Sequence, residues 1–290
     1  MHAIAWPFIA AEALEAGTLT FRELRRFHQA VYPGVWVPRG ADLTPVHRAR
    51  AAWLWSRRRG VLAGLSASAL HGARWVEAER PAELIHDNRR PPPHAIVRGG
   101  RLLEGESDRV DGMPVTTVAR TAFDLGRWLT VAEAVPRIDA LMNATGITVE
   151  QIAAVAAAHP GARGLRTLND ALSLADGGAE SPYESMTRML LVQNGFPRPQ
   201  TQVQVRDRHG VVVARLDMGW RQWRVGVDFE GAHHWTDPRQ RSRDIERYAL
   251  LPELGWTDIR LTSGMLHNAP RRFLERVGSA LIARGCARTW

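Results

Sequence analysis

The stretch Ala214–Trp235, ARLDMGWRQWRVGVDFEGAHHW, gathers three carboxylates and two histidines around two apolar runs. Asp217 closes the run Val211 to Leu216, and Asp228 and Glu230 lie two apart at the end of the run that starts at Trp223. In an extended strand residues i and i+2 project from the same face, so Asp228 and Glu230 are expected side by side. Val225, Val227 and Phe229 flank them and predict a half-buried strand whose other face is core. Carboxylates crowded there repel each other and resist desolvation. A divalent cation is the natural counter-charge.

Working outward, Ser181-Pro182-Tyr183-Glu184 is a strong helix start, with Ser as N-cap, Pro at the first helical position and Glu at the third. That helix is expected to run to Asn194-Gly195. Strands are predicted over 200–206 and 211–217 around the turn Asp207-Arg208-His209-Gly210, and over 223–230 as the third strand of a meander. A helix over 239–254, a strand over 256–261 and a helix over 270–284 follow. The order α, β, β, β, α, β, α describes an α/β unit able to fold alone, and Asp176-Gly177-Gly178-Ala179 marks its start.

Upstream, Trp6 to Ala16 reads as an amphipathic helix. Thr20 and Glu23 have capping-box spacing for a second helix, in which Phe21, Leu24 and Phe27 make an apolar stripe and Arg22, Arg25 and Arg26 lie on other faces. Val31 to Val37, with Pro33-Gly34 inside it, reads as a small β-wing. Helix, helix, wing with exposed arginines is a winged-helix outline; a helical hairpin with a solvated arginine face fits the same residues. A helix from Thr44-Pro45 to Arg59 and a buried helix in VLAGLSASALHG follow, with His71 read as a core or capping residue. Strands over 83–86, 94–97 and 110–116 precede four helices, over 117–128, 131–144, 149–158 and 165–175. Asp124 and Asp139 in these helices read as cap, ion-pair or solvated residues rather than catalysts. Three regions result: 1–72 winged-helix-like, 73–178 mixed α+β, and 179–290 α/β.

The chain has 290 residues and a formal net charge of +8, and all 38 of its basic residues are Arg. Residues 1–60 hold nine Arg against four acidic residues, 61–179 twelve against fourteen, and 180–290 seventeen against twelve. Basic ends around a mildly acidic middle suit two modules that face an extended anion, nucleic acid being the commonest. No long apolar run or signal-peptide pattern opens the chain, so no membrane association and a cytoplasmic location are expected. The lone Cys286 has no partner for a disulfide.

The series Ser181 to Glu184, Asp217, Val227-Asp228-Phe229-Glu230-Gly231-Ala232-His233-His234, Asp244-Ile245-Glu246-Arg247, Gly255-Trp256 and Ile259-Arg260 resembles the very-short-patch-repair-like endonuclease domains of the PD-(D/E)XK superfamily. The resemblance covers nearly all of residues 180–268. Leu65 to Gly72, and Thr116 to Asp124, together with the helix-helix-wing, resemble AbiEi-type antitoxin and regulator domains that are often fused to such nucleases. The first resemblance implies a PD-(D/E)XK-like α/β fold in which Glu184, Asp217 and Asp228 hold Mg²⁺, or Mn²⁺, and in which His234 acts as general base or phosphate ligand. Such an ion polarises the scissile phosphate and activates water.

The departure from the superfamily pattern is Glu230, which stands where its signature has Lys, in a chain with no Lys at all. Transition-state charge would then fall to the metal, His234, or an Arg such as Arg215, Arg243 or Arg247. Each acid also has a plainer role: Glu184 in a capping box, Asp217 in a turn before Met218-Gly219, Asp228 and Glu230 on a solvated face. Asp237, Asp244 and Glu246 read as surface residues. The resemblances imply a metal-dependent endonuclease acting on nucleic acid, DNA first, with Arg22, Arg25, Arg26, Arg215, Arg243 and Arg247 contacting it. The alternative is a non-catalytic regulator or antitoxin with a degenerate nuclease-like domain. A homodimer and a toxin or regulatory partner are both compatible with these resemblances.

Overall fold

Helix caps and strand alternation set most of the local structure. The computed structural model describes residues 4–88, 90–230 and 250–290. The protein is mixed α/β, with three sheets among the described residues, and its contacts fall into two units, Met1–Ser173 and Leu174–Trp290.

The first unit opens with β1 (Phe8–Ile9), α1 (Ala10–Glu15), α2 (Phe21–Phe27), β2 (His28–Tyr32) and β3 (Val35–Pro38). The single helix expected over Trp6 to Ala16 starts only at Ala10, because Phe8 and Ile9 pair with Trp36 and Val35. The three strands form a sheet in the order β1-β3-β2. Thr20 and Glu23 make the anticipated capping box. Of the apolar stripe on α2, only Leu24 is buried, in a cluster with Phe8, Ala10 and Ala13, while Phe21 and Phe27 are 61% and 47% exposed. Each Phe lies about 60° around the helix from Leu24, outside that contact strip.

Next come α3 (Pro45–Trp55), β4 (Val61–Leu62), α4 (Gly64–Leu70), β5 (Ala82–Ile85), β6 (Ala95–Arg98), β7 (Ser107–Val110) and β8 (Met113–Thr116). The strand anticipated over 110–116 is a hairpin instead. Asp111 and Gly112 both take positive φ, 50° and 77°, the conformation that a tight two-residue turn between right-twisted strands demands. The five strands order as β6-β5-β4-β8-β7. Since β4 lies at the centre of this sheet, no break falls at residue 72, and the regions expected as 1–72 and 73–178 share one core. Four helices close the unit: α5 (Val118–Trp128), α6 (Val131–Thr145), α7 (Val149–Ala158) and α8 (Leu165–Leu174). Among the described residues no single helix is long and apolar enough to cross a membrane; α6 and α7 would do so only as a pair bent by 114°.

Among the described residues the second unit contains α9 (Pro182–Gln193), β9 (Gln200–Arg206), β10 (Val212–Trp220), β11 (Val225–Glu230), β12 (Thr257–Thr262), α10 (Ser263–Asn268) and α11 (Pro270–Ala283). Residues 250–253 are helical; the remainder of the helix expected over 239–254 lies outside the described residues. The sheet order is β12-β11-β10-β9, antiparallel except for β11 and β12, which run parallel.

β10 changes face part-way along. Val203, Val205, Ala214, Leu216 and Leu251 form one apolar cluster, whereas Met218, Trp220, Val225, Val227, Ile259 and Leu261 belong to another. Leu216 packs over Gly226, where a Cβ would come within 2.4 Å of Leu216 Cδ1. Gly226 alternates with Val225 and Val227, so Leu216 and Met218, two residues apart, serve opposite faces. The change occurs at Asp217. In β9 the matching irregularity is Gln202, whose φ of 51° lies between the pairs Leu216↔Val203 and Met218↔Thr201.

Candidate functional site

The last ladder pair between β10 and β11 is Met218↔Val227, and the next step along the register brings Asp217 opposite Asp228. Side chains replace the ladder bonds at this step. The Asp217 backbone N–H donates to Asp228 Oδ1 at 2.8 Å, and the Phe229 N–H donates to Asp217 Oδ2 at 2.7 Å. Asp228 is buried at 4% exposure, and Asp217 is half-buried. Two carboxylates are thus fixed side by side, each with one oxygen tied to backbone. Asp217 was expected to close its strand; β10 continues to Trp220 because Gly219 lets Val225 O approach to where a Cβ would be only 2.5 Å away.

Glu184 sits at the third position of α9, and Ser181 caps it through Glu184 N–H. The carboxylate does not accept from the Ser181 backbone N–H, as a capping box would require. Its Oε2 accepts from the Glu180 backbone N–H at 2.9 Å and from Gln202 Nε2 at 3.0 Å. Burial raises the Glu184 pKa above the usual carboxylate range, and the Glu180 N–H bond only partly offsets this. Tyr183, next to it, stacks on Phe229 with centroids 4.5 Å apart and planes at 6°, which ties the start of α9 to the end of β11.

Two arginine–carboxylate pairs border these acids. Arg215 and Glu180 form a bidentate pair at 2.8 and 2.9 Å. Arg260 is the register partner of Asp228 on β12 and binds Glu230 at 2.9 Å and Asp258 at 3.4 Å. Because paired residues of parallel strands share a face, Asp228, Glu230, Asp258 and Arg260 stand together, opposite the apolar Val227, Ile259 and Leu261. Among the described residues no group of three or more His, Cys, Asp and Glu side chains is gathered closely enough to hold a metal ion. Asp217 and Asp228 are adjacent, with Glu184 linked through Gln202 rather than clustered with them. His234, Arg243 and Arg247 lie outside the described residues, as do His233, Asp237, Asp244 and Glu246.

In the first unit, Arg22, Arg25 and Arg26 are all exposed on α2. Arg25 lies over the Phe21 ring at 5.5 Å and Arg26 over the Phe27 ring at 5.1 Å. A second assembly of charge is buried in the same unit. Asp124, fully buried, accepts from Arg120 Nε at 3.0 Å and Arg127 Nε at 2.8 Å. Arg120 also pairs with Glu106, which binds His159, and donates to Arg101 O at 3.0 Å. The Asp124 carboxyl is pushed up by burial against the pull of both arginines. Reading Asp124 as an ion-pair residue caught its partner type but not the depth of the network. Neither Gln202 nor Asp258 is marked by the sequence reading, and Arg260 enters it only within the motif Ile259-Arg260, although the alternation of Asp258, Arg260 and Thr262 against Ile259 and Leu261 signals a polar face.

Two uncharacterized proteins of Mycobacterium tuberculosis, from strains CDC 1551 and H37Rv, are each 31% identical to this chain over 173 residues. The match takes in 60% of this chain and 64% of each relative, so the chain spans less than two thirds of the length of the curated relatives it matches. No protein-family profile matches the chain. No solved structure matches it.

Proposed function

We propose that residues 180–290 form a metal-dependent endonuclease of the PD-(D/E)XK kind, acting on nucleic acid and in the first place on DNA. The N-terminal unit would bind DNA or a regulatory partner through a winged-helix-like arrangement of α1, α2 and the β1-β3-β2 sheet. The observation that carries the reading is the reciprocal hydrogen bonding of Asp217 and Asp228. A protein gains little stability from placing two carboxylates together inside a sheet, since like charges in low dielectric oppose ionisation. Such a pair is what a hard cation needs.

Asp217 and Asp228 would hold Mg²⁺ or Mn²⁺, for which one or two carboxylates completed by water and phosphate oxygens suffice. The bound ion would supply Lewis-acid polarisation of the phosphate and a more acidic water. Glu184, with its carboxyl raised by burial, is suited to accept a proton from the attacking water. Arg260, the register partner of Asp228, and Arg215, paired with Glu180, would offer positive charge where the superfamily has Lys.

A second reading is a non-catalytic DNA-binding regulator. It is favoured by the pairing of Arg260 with Glu230 and of Arg215 with Glu180, which offsets those cations. Purified protein incubated with plasmid and mismatched duplex, with and without Mg²⁺ and beside an Asp217→Ala variant, separates the two. Metal-dependent nicking that the variant lacks is the expected result. Nicking retained by the variant would place the activity elsewhere, and duplex binding without nicking under any divalent metal would favour the regulator.

A further inference from the structure

The helix α2, Phe21-Arg22-Glu23-Leu24-Arg25-Arg26-Phe27, combines two exposed aromatic rings with three exposed arginines. Leu24 is its one buried residue. At 3.6 residues per turn, Arg22 and Arg26 point about 160° away from Leu24 and form the outer ridge, with Phe21 and Phe27 on the two flanks. Arg25 lies over the Phe21 ring and Arg26 over the Phe27 ring. Phe21 nevertheless stays 61% exposed and Phe27 47%, so ring surface remains open beside each cation.

The helix does not neutralise its own arginines. Glu23, its one acid, is turned to the N-terminus, where the carboxylate accepts the Thr20 N–H at 2.9 Å and the Thr20 hydroxyl at 2.7 Å. Among the described residues no carboxylate lies within ion-pair distance of Arg22, Arg25 or Arg26. Arg39, just after β3, adds a fourth cation beside the end of α2: its backbone N–H donates to Phe27 O and its guanidinium to Arg25 O, both at 2.9 Å.

This pattern argues against a plain apolar occupant. Covering the rings with apolar surface would desolvate guanidinium groups that have no carboxylate to pair with, which is costly. The occupant must bring negative charge and flat π faces together. A duplex supplies the charge, but its base faces are hidden in the stack, and its grooves present mainly edges read by hydrogen bonds that Phe cannot make. An unpaired strand supplies phosphates and open base faces at once, and bases stack on aromatic side chains with little regard to sequence while arginine adds cation–π attraction.

We propose that α2 binds single-stranded nucleic acid, with unpaired bases stacked on Phe21 and Phe27 and the backbone phosphates drawn to Arg22, Arg25 and Arg26. The proposal rests on the nucleic-acid reading of the first unit given above and narrows it to unpaired strands.

The test measures fluorescence anisotropy of the full chain in EDTA, which prevents metal-dependent cleavage. The labelled probes are an oligothymidylate, a strand of the same length that is abasic throughout, and a duplex, each roughly 16 nucleotides long, the upper end of single-strand site sizes for one binding module. Phe21→Leu and Phe27→Leu keep an apolar side chain and a good helix former while removing the π face. The wild type should hold oligothymidylate more tightly than the abasic strand. Each Phe variant should weaken oligothymidylate binding about fivefold or more and leave the abasic strand bound as before. A Phe variant that binds oligothymidylate as the wild type does, or that loses the abasic strand equally, overturns the stacking role. If replacing Arg22, Arg25 and Arg26 together with Ala weakens binding of the duplex while the Phe variants change nothing, the first unit still binds nucleic acid and the single-strand proposal alone fails. If the arginine variant changes no probe, α2 does not meet nucleic acid, and the reading of the first unit through α2 fails together with the proposal, leaving an acidic protein partner for this face.

Discussion

Asp217 and Asp228 each fasten the other's strand. Asp228 Oδ1 takes the Asp217 N–H, and Asp217 Oδ2 takes the Phe229 N–H, so β10 and β11 stay joined one step beyond their last ladder pair. Hydrogen bonds to ionised acceptors are stronger than neutral ones, and they offset part of the repulsion between the two carboxylates. The pair therefore has a structural role and a charge cost at the same time, and substitution can separate these.

Asp228→Asn retains an acceptor oxygen for the Asp217 N–H and removes one of the two charges. Metal-dependent cleavage should fall by about 100-fold or more, while unfolding in urea shows equal or greater stability. Asp228→Ala removes the acceptor as well and leaves the part-buried Asp217 N–H unpaired, at up to about 1–3 kcal/mol. Equal cleavage by wild type and Asp228→Asn would remove Asp228 from the site.

Arg260 and Glu230 meet at 2.9 Å with side chains 41% and 31% exposed, so the pair itself should stabilise the fold by no more than about 1 kcal/mol. Its importance would be electrostatic. Under the nuclease reading, Glu230→Lys introduces the Lys of the PD-(D/E)XK signature but sets it against Arg260, and lower cleavage is expected from it alone. Adding Arg260→Glu restores opposite charges with the cation now on β11, and cleavage should recover in part. A double-mutant cycle in kcat/KM measures the coupling; additive losses would mean that the two residues do not act together.

Much of the second unit could be read from local pattern, and the failures have a common cause. Ser181-Pro182 starts α9 as its capping chemistry demands, and Val225 and Val227 place Asp228 on the opposite face of β11, because both signals are local. Met218-Gly219 looked like a turn after Asp217 because a glycine that admits Val225 O and a glycine that turns the chain are the same letter. Gln202 carries no residue-type cue for its left-handed backbone. The partnership of Asp228 with Arg260 depends on parallel pairing between segments about thirty residues apart, which no short-range pattern specifies. In the first unit, helical spacing suggests an ion-pair role for Asp124 but not its depth, because Arg120 and Asp124 are buried only where the distant Glu106 and the neighbouring Arg127 complete their pairing.

That buried network yields a prediction confined to the first unit. Asp124→Asn would leave Arg120 and Arg127 without their shared carboxylate, and breaking a buried pair by removing one partner costs about 3–5 kcal/mol. Hydrogen exchange should show protection lost along β8 and α5 and retained in β10 and β11. Loss of protection in both units together would show that they unfold as one.

The exposed patch on α2 leads to a salt-dependence experiment. If Arg22, Arg25 and Arg26 contact phosphates, replacing all three with Ala should lower the slope of log affinity against log salt by about two to three, because each contact releases close to one counterion. The exposed sites should change stability by no more than about 0.5 kcal/mol each. An unchanged slope would move the nucleic-acid surface away from α2.

The raised carboxyl of Glu184 fixes the sign of a pH effect on stability. Burial is the largest cause, so the folded state holds this proton to higher pH than the unfolded chain does. The contribution of Glu184 to stability is then fully present below the unfolded carboxylate pKa and is lost as pH rises through the higher folded value. Glu184→Gln cannot ionise and escapes that loss. The variant should therefore gain on the wild type in urea unfolding as pH is raised from about 4 to 7, while its Mn²⁺-dependent cleavage falls. A stability difference that stays constant over this range would mean that Glu184 ionises as easily in the folded protein as in the unfolded chain, and would remove the basis for its role as proton acceptor.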